Sequence, residues 1–306
     1  MTTATTTARP VRRRSRLRRR NTLLGLSFIA PNFIGFAVIT LVPILILFYV
    51  AFTQWYAVGT PKWTGLANFR KLFLHDSTFI DALINTLYYT AAHLPLTLAA
   101  SLGLAVLLNR KMRGMAFFRT AAFFPYVTSI VAIALVWNLM FSPDTGPINQ
   151  LLRFIGLSDP PGWTVSSTWA MPAVIIVGTW REMGYYMLLF LAGLQTIPAQ
   201  LYEAAQVDGA SAWSRFWHIT LPGLRPTTFF ITVMLTIESM KVFDLVFVMT
   251  AGGPGTSTLV ISQLIWRRAF EGEGEFGYAS AIALVLFVIC LGFTLVQFVI
   301  NRRSEK

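Results

Sequence analysis

The sequence predicts an all-α membrane protein with six transmembrane helices. Hydrophobic residues make up 55% of its 306 residues and charged residues only 12%, whereas an average soluble domain is about 25% charged. The mean hydropathy is +0.60. Because lipid cannot pair with backbone amides, apolar segments of about 20 residues are expected to be helices rather than open strands. Six segments qualify: residues 23–52, 82–108, 119–141, 169–194, 227–250 and 277–300.

The first segment is expected to be a retained span rather than a cleaved signal. It is about thirty residues long, well beyond the 7–15 apolar residues of a signal peptide. Pro31 and Pro43 are expected to bend its helix, since proline cannot donate a backbone hydrogen bond. Residues 1–22 are predicted to be a disordered basic tail on the cytoplasmic side, and residues 23–306 a single membrane domain.

The distribution of Lys and Arg predicts that both chain ends are cytoplasmic. With the N-terminus inside, seventeen of these residues flank the spans on the inner side and six on the outer side, which follows the positive-inside rule. Eight arginines lie in the first twenty residues, without an aromatic residue for stacking on bases. The net charge of +12 therefore indicates membrane orientation and attraction to anionic lipid, not a nucleic-acid partner.

Residues for catalysis or metal binding do not form a recognisable pattern. Cys290 is the only cysteine, so a disulfide framework and a thiolate metal site are excluded. His75, His93 and His218 lack the spacing of metal ligands and are expected to be structural. The sequence also lacks the P-loop pattern GxxxxGK(S/T) for binding ATP. We therefore expect no catalytic residue, no metal site and no cofactor bound by this chain.

A long connection, about residues 197–226, joins the fourth and fifth segments on the predicted inner side. Helix-forming residues fill positions 201–207, and Gly209 is expected to interrupt the helix. A second helical piece is predicted over 210–219, with Pro222 stopping it.

The same connection carries a spaced motif. Glu203-Ala204-Ala205 is followed by three residues and Gly209, and nine further residues lead to Ile219-Thr220-Leu221-Pro222. This resembles the EAA loop of ABC-importer permeases, and every fixed position of that pattern is matched. The resemblance implies a type I importer permease fold.

The resemblance extends along the chain to the carbohydrate-uptake branch of these permeases, and it is closest to the maltose-type subunit, although that subunit has additional N-terminal spans. It is carried by the stretches 63–69, 190–210, 243–244, 249–250, 252–254 and 276–281. It implies a bacterial inner-membrane subunit with three kinds of protein partner. These are two ABC ATPases that bind ATP and Mg, a second permease subunit forming a heterodimer, and an extracytoplasmic sugar-binding protein.

The resemblance also implies roles for residues in the loop. The expected ATPase-coupling residues are Glu203, Ala204, Ala205, Asp208 and Gly209. Small alanines permit close docking, and a glutamate can accept charge-assisted hydrogen bonds from a partner. Residues expected to anchor the loop to the bundle are Ile219, Leu221 and Pro222. The alternative is an ordinary cytoplasmic turn with one amphipathic helix.

Five ionisable residues lie inside predicted spans, where a charge costs about 2.5–3.5 kcal/mol on insertion scales. Three of them, Glu238, Lys241 and Asp244, are spaced three apart and are expected to share one helix face and to pair. Arg181 and Glu182 are expected to point in different directions, with Arg181 pairing across helices to Glu238 or Asp244.

Two interpretations of these charges remain open. They form a salt-bridge network that fixes helix packing, or they line a polar cavity that binds sugar hydroxyls with an aromatic ring stacked on the sugar. The resemblance favours these two helices as the substrate path. The candidate residues are Trp180, Arg181, Glu182, Tyr185, Glu238, Ser239, Lys241 and Asp244.

Two other functions are weighed against the importer subunit. A self-contained secondary transporter would use the intramembrane acids for proton coupling and predicts inverted repeats, which the sequence does not display. A membrane enzyme such as a glycosyltransferase would need paired acids or a metal motif near the interface, and the outer-loop acids form neither.

Overall fold

The computed structural model of the chain describes residues 13–56, 58–110 and 113–304, and most of this length is helical. Two short antiparallel strands pair Thr53 with Trp63 and Gln54 with Lys62. The elements in chain order are α1 (Arg13–Phe36), a π turn (Ala37–Leu41), α2 (Val42–Ala51), β1 (Thr53–Gln54), β2 (Lys62–Trp63), α3 (Ala67–Leu74), α4 (Ser77–Leu108), α5 (Met115–Val127), α6 (Ile130–Met140), α7 (Pro147–Phe154), a 3-10 turn (Trp163–Val165), α8 (Ala170–Gln195), α9 (Ala199–Val207), α10 (Ala212–Arg215), a π turn (Phe216–Thr220), α11 (Leu221–Gly223), α12 (Arg225–Met240), α13 (Asp244–Met249), α14 (Ile261–Phe270) and α15 (Phe276–Ser304).

Four helical stretches among the described residues are long and apolar enough to cross a membrane. They are Leu24–Ala51, Ser77–Leu108, Ala170–Gln195 and Phe276–Arg303, which confirms four of the six predicted segments. The first helix begins at Arg13, so residues 13–22 are helical where the sequence predicted disorder. The rest of the predicted tail, residues 1–12, lies outside the described residues.

The third predicted segment is not one straight helix. α5 and α6 meet at 97° across Thr128 and Ser129, so this pair is at most a broken span. The Thr128 hydroxyl donates a hydrogen bond to the Phe124 carbonyl at 2.9 Å, one turn back in α5. Thr128 itself is extended, with ψ 150°.

The fifth predicted segment is also interrupted. α12 ends at Met240 and α13 begins at Asp244, so the prediction of one helix over 227–250 is wrong. The 16 residues of α12 span about 24 Å, less than the apolar thickness of about 30 Å. Neither Gly nor Pro marks this break in the sequence. Asp244 in the first turn of α13 does favour a new helix, because its carboxylate faces the positive end of the helix dipole.

Each of the two π turns ends two residues before a proline. The Val42 amide donates to the Ala37 carbonyl just before Pro43, and the Leu221 amide donates to the Phe216 carbonyl just before Pro222. The wider turn relieves the clash between a proline ring and the carbonyl of the preceding turn. The helical path therefore continues past Pro222 into α12, which corrects the prediction that this residue stops the helix.

The central helix of the bundle is α8, which contacts α4, α5, α12 and α13. Glycines let the neighbouring helices approach closely, as is common where small residues meet in membranes. A Cβ atom on Gly184 would overlap the Ala122 carbonyl of α5, and one on Gly193 would lie 2.5 Å from Thr227 Oγ1 of α12.

At the end of the bundle where α4 and α15 begin, a polar cluster ties these helices to α14. Asp76 caps α4 by accepting from the Phe79 amide at 3.2 Å. Its other oxygen accepts from Tyr278 Oη at 2.6 Å and from Arg268 Nη2 at 3.1 Å. Burial alone would raise the pKa of Asp76, but these hydrogen bonds and the guanidinium charge hold it below its usual value of 3.8. Glu275 extends the cluster by pairing with Arg268 and Lys71.

This cluster predicts a pH-dependent contribution to stability. The depressed pKa means that the contribution of Asp76 is fully present above about pH 4 and is lost as the pH falls through the lowered value. Asp76→Asn is expected to lower the free energy of unfolding at pH 7 by about 2–3 kcal/mol, as for a hydrogen bond to a charged group. Thermal unfolding of the detergent-solubilised protein measures this difference.

The matched control is Asp81→Asn, because Asp81 is exposed on the same helix and accepts one hydrogen bond, from Thr256. It is expected to change the unfolding midpoint little. Equal midpoints for wild type and Asp76→Asn at pH 7 would contradict the role given to the cluster.

Candidate functional site

A polar cavity of about 230 Å³ lies between α4, α5, α8 and the broken end of α12. Six of the eight residues predicted for a substrate path line it: Arg181, Glu182, Glu238, Ser239, Lys241 and Asp244. The remaining walls include Tyr89, Tyr126, Tyr186 and Phe243. The sequence did not predict these four aromatic residues, because no charge distinguishes them from the other aromatic residues of an apolar segment.

The other two predicted residues, Trp180 and Tyr185, are not among the lining residues. Trp180 packs into the core with its ring centroid 5.4 Å from that of Trp137. Tyr185 stacks on Tyr126 at 4.4 Å, and the Tyr126 ring in turn lies 5.2 Å from the Arg181 guanidinium carbon. Tyr126 therefore lies at the cavity wall, where the sequence predicted Tyr185.

Two ion pairs neutralise most of the charge in the cavity. Arg181 Nη1 lies 3.7 Å from Glu182 Oε1, which corrects the expectation that these neighbours point apart. The predicted pairing of Glu238 with Lys241 is confirmed, with 3.7 Å between Oε1 and Nζ. Asp244, however, belongs to a separate helix, so the three residues do not share one helix face. The expected pairing of Arg181 with Glu238 or Asp244 is not found.

The distance between the two charged groups within each ion pair affects what the cavity can bind. At 3.7 Å each pair attracts but is too far apart for a direct hydrogen bond. Donors and acceptors of both signs therefore remain available to a ligand. Such a wall, with tyrosine rings beside it, suits a molecule rich in hydroxyl groups.

The loop after α8 forms the second notable surface. None of the residues of α9 is buried. Glu203, Ala204 and Asp208 are exposed and Ala205 is half-buried. Val207 is 89% exposed, so this helix presents apolar as well as acidic groups.

Gly209 closes α9 as the sequence predicted. Its φ of +77° is the left-handed conformation that side chains resist. The Ala210 amide then reaches back to the Ala205 carbonyl at 2.8 Å and the Gly209 amide to Gln206 at 3.2 Å, which is a Schellman-type helix end. A Cβ at Gly209 would have no neighbour within 4 Å, so the constraint at this position is the backbone angle and not space.

The three residues predicted to anchor this loop do not make its most buried contacts. Ile219 and Leu221 are half-buried and Pro222 is exposed. Instead, Thr220 and Leu224 are buried, and the Thr220 hydroxyl lies 3.0 Å from Tyr202 Oη of α9. The π turn at residues 216–220 shifts the helical phase and turns these neighbouring positions inward.

A bundle of membrane-crossing helices with a polar cavity and an exposed loop at one end has the architecture of a membrane permease. The chain belongs to the family described as binding-protein-dependent transport system inner membrane component, whose profile matches residues 94–306. It is therefore an ABC transporter permease. Within the described residues no group of three or more His, Cys, Asp or Glu is arranged to hold a metal ion.

Similar proteins match over nearly the whole chain. The probable ABC transporter permease protein YesP of Bacillus subtilis is 39% identical over 289 residues, covering 94% of this chain and 93% of that protein. The lactose transport system permease protein LacF of Rhizobium radiobacter is 36% identical over 296 residues, covering 95% and 98%.

Two solved structures share the fold. One is a bacterial ABC transporter involved in the import of the acidic polysaccharide alginate, with a TM-score of 0.83 and 28% identity over 96% of this chain and 100% of that one. The other is a bacterial alginate ABC transporter in complex with an alginate pentasaccharide-bound periplasmic protein, with a TM-score of 0.81 and 29% identity over 94% and 96%.

The cavity geometry predicts that Gly178 of α8 cannot carry a side chain without cost. A Cβ there would lie 2.6 Å from Tyr89 Oη and 3.3 Å from His93 Nε2, so Tyr89 would have to change its position in the cavity wall. Gly178→Ala is expected to reduce cargo uptake by whole cells several-fold. Gly103→Ala is the control, since a Cβ on Gly103 of α4 would meet no atom within 4 Å. Equal uptake by the two variants, at equal membrane levels, would be evidence against this cavity as the path.

Proposed function

We propose that this chain is the transmembrane subunit of an ATP-driven sugar importer, working with a second permease subunit and coupled to cytoplasmic ATPases through the loop at 197–226. The observation that carries this proposal is that one continuous helix, α8, joins the cavity to the loop. Glu182 lies about 20 Å from the end of α8 at 1.5 Å per residue, and α9 begins directly after Pro198. A force on α9 therefore reaches the cavity wall through a rigid helix.

The chemistry of the cavity supports a sugar as cargo. Carboxylate, guanidinium, ammonium and hydroxyl groups offer both donors and acceptors, which sugar hydroxyls need. The names of similar proteins support this cargo, since one is a lactose transport system permease and the two solved structures are described as alginate transporters. Import is the direction named for the alginate transporter.

The loop supports coupling to an ATPase on another polypeptide, because the sequence has no P-loop of its own. The chain itself is then not an enzyme, and ATP and Mg are bound by two ABC ATPase subunits. Exposed Val207 and Trp213 offer apolar contact area on the loop, and exposed Glu203 offers a carboxylate for an arginine of the ATPase. Exposed apolar groups beside polar ones are typical of a protein-binding surface.

The charged pair on α12 supports a second permease subunit. The side chains of Glu238 and Lys241 are 54% and 53% exposed, and a charge facing lipid at this depth is costly. A second, related permease covers this face and completes the cavity between the two subunits as a heterodimer. An extracytoplasmic sugar-binding protein then delivers the cargo, as the complex with a periplasmic protein in the second solved structure suggests.

In this assembly the chain crosses the bacterial inner membrane six times. The bent pair α5–α6 and the broken pair α12–α13 provide the two crossings that single long helices do not. Both chain ends are then cytoplasmic, and the loop at 197–226 lies on the same side as the ATPases.

Copurification and reconstitution test this proposal. The tagged protein, extracted in mild detergent, is expected to bring along a P-loop ATPase and a second permease with its own EAA loop, identified by mass spectrometry. Proteoliposomes containing the purified assembly are expected to take up sugar only with ATP. Isolation of this chain alone, with uptake driven by a proton gradient, would instead support a secondary transporter that uses the intramembrane acids.

The coupling role predicts a specific mutant phenotype. Gly209→Pro removes the φ of +77° that ends α9, and Glu203→Lys reverses the charge offered to the ATPase. Both variants are expected to abolish uptake while the protein inserts in the membrane at normal levels. Gly156→Pro is the control, because Gly156 also has positive φ but ends α7, far along the chain from this loop. Normal uptake by both loop variants would exclude the coupling role.

A further inference from the structure

We propose that His93 is a positioning residue that relays the movement of α8 to the break in α12. The inference rests on the proposed function, because it assumes that the loop after α8 is moved by a partner ATPase. His93 lies on α4, its side chain is 1% exposed, and it is not among the residues lining the cavity. It therefore acts through its neighbours and not by contact with cargo.

The first contact of His93 is with the end of α12. Its Nδ1 lies 2.9 Å from Ser239 Oγ, and Ser239 is itself buried in the cavity wall. The Ser239 carbonyl accepts a hydrogen bond from the Val242 amide at 3.3 Å, which is the turn that ends the helix. The contact with His93 that fixes the position of Ser239 therefore also fixes this turn and the two charged residues beside it, Glu238 and Lys241.

The second contact is with α8 and is incomplete. His93 Nε2 lies 3.7 Å from Glu182 Oε2. Both atoms are buried, and neither makes a hydrogen bond of ordinary geometry. A displacement of α8 by less than about 1 Å relative to α4 would bring this pair to hydrogen-bonding distance.

The surroundings restrict the movement of the His93 ring. It stacks on Tyr89 with 4.9 Å between centroids and 17° between planes. On the side of α8 the neighbour is Gly178, where even a methyl group would lie 3.3 Å from Nε2. A ring held in this way cannot rotate freely, so a pull on Nε2 by Glu182 is passed to Ser239 through Nδ1.

The test measures whether the break in α12 responds to nucleotide. In a Cys290→Ala background, Val242→Cys places a single thiol at the break, beside the cavity. The rate of its reaction with a small maleimide is compared in the full complex with and without ATP plus vanadate. We expect the rate to change on nucleotide trapping when His93 is present, and this change to be lost in His93→Leu while ATP is still hydrolysed.

Two conservative variants separate the two contacts. His93→Asn places an amide near the position of Nδ1 and keeps the bond to Ser239, so the nucleotide-free rate is expected to stay normal and the response to be lost. His93→Gln reaches toward Glu182 but loses Ser239, so the nucleotide-free rate is expected to rise as the turn loosens. These two variants decide the question if His93→Leu does not assemble.

Thr97→Val is the matched control. Thr97 is equally buried on α4 and contacts Thr179 of α8 at 3.4 Å, one turn further along and away from the cavity. It is expected to retain the response. A full response in His93→Leu, or an equal loss in Thr97→Val, would overturn the relay. A complex with His93 that hydrolyses no ATP and gives no response would instead contradict the proposed function.

Discussion

The fold depends on the cost of placing charged and polar groups inside an apolar bundle. Lipid offers them no hydrogen bonds, and a charge near the middle of a span costs about 2.5–3.5 kcal/mol. Arg181, Glu182, Glu238 and Lys241 meet this constraint by pairing at 3.7 Å and by facing a common cavity. The break between α12 and α13 obeys the same constraint, because irregular backbone at membrane depth is tolerated only where it lines a cavity or is enclosed by protein.

The cavity needs a rigid frame, and α8 supplies it. Glycines on α8 admit α4, α5 and α12 at close range, so polar groups on several helices converge within a volume of about 230 Å³. The same helix leads directly into the exposed α9. The two ends of the proposed mechanism are thus connected by one stiff element, while the break in α12 offers a place where the wall can change shape.

Much of this arrangement could be predicted from local sequence. Four spans followed from apolar length alone, and the turn at Gly209 followed from the conformational freedom of glycine. The breaks were not predictable in the same way. The bend at Thr128 comes from an extended backbone at a single residue, and the end of α12 at Met240 has no Gly or Pro to mark it. Hydropathy does not register either feature.

The aromatic residues that line the cavity also could not be predicted from local sequence. Trp180 and Tyr185 are near Arg181 and Glu182 in sequence, but helical geometry turns Trp180 toward Trp137 and Tyr185 toward Tyr126. Tyr89 and His93 lie on a different helix, and only the packing of α4 on α8 brings them to the site. The side chains of Glu238 and Lys241 are about half exposed, so the sequence of this chain alone does not define what covers them.

The proposal that two subunits enclose the cavity is tested most directly by identifying what lies against the exposed Glu238 and Lys241 side chains. A photoreactive benzophenone amino acid at position 241, irradiated in native membranes, reports what lies against this face. We predict a cross-link to a second permease protein of the same family, identified by mass spectrometry. Cross-links to lipid alone would mean that the charged face of α12 is not a subunit boundary, and would contradict the proposal that two subunits enclose the cavity.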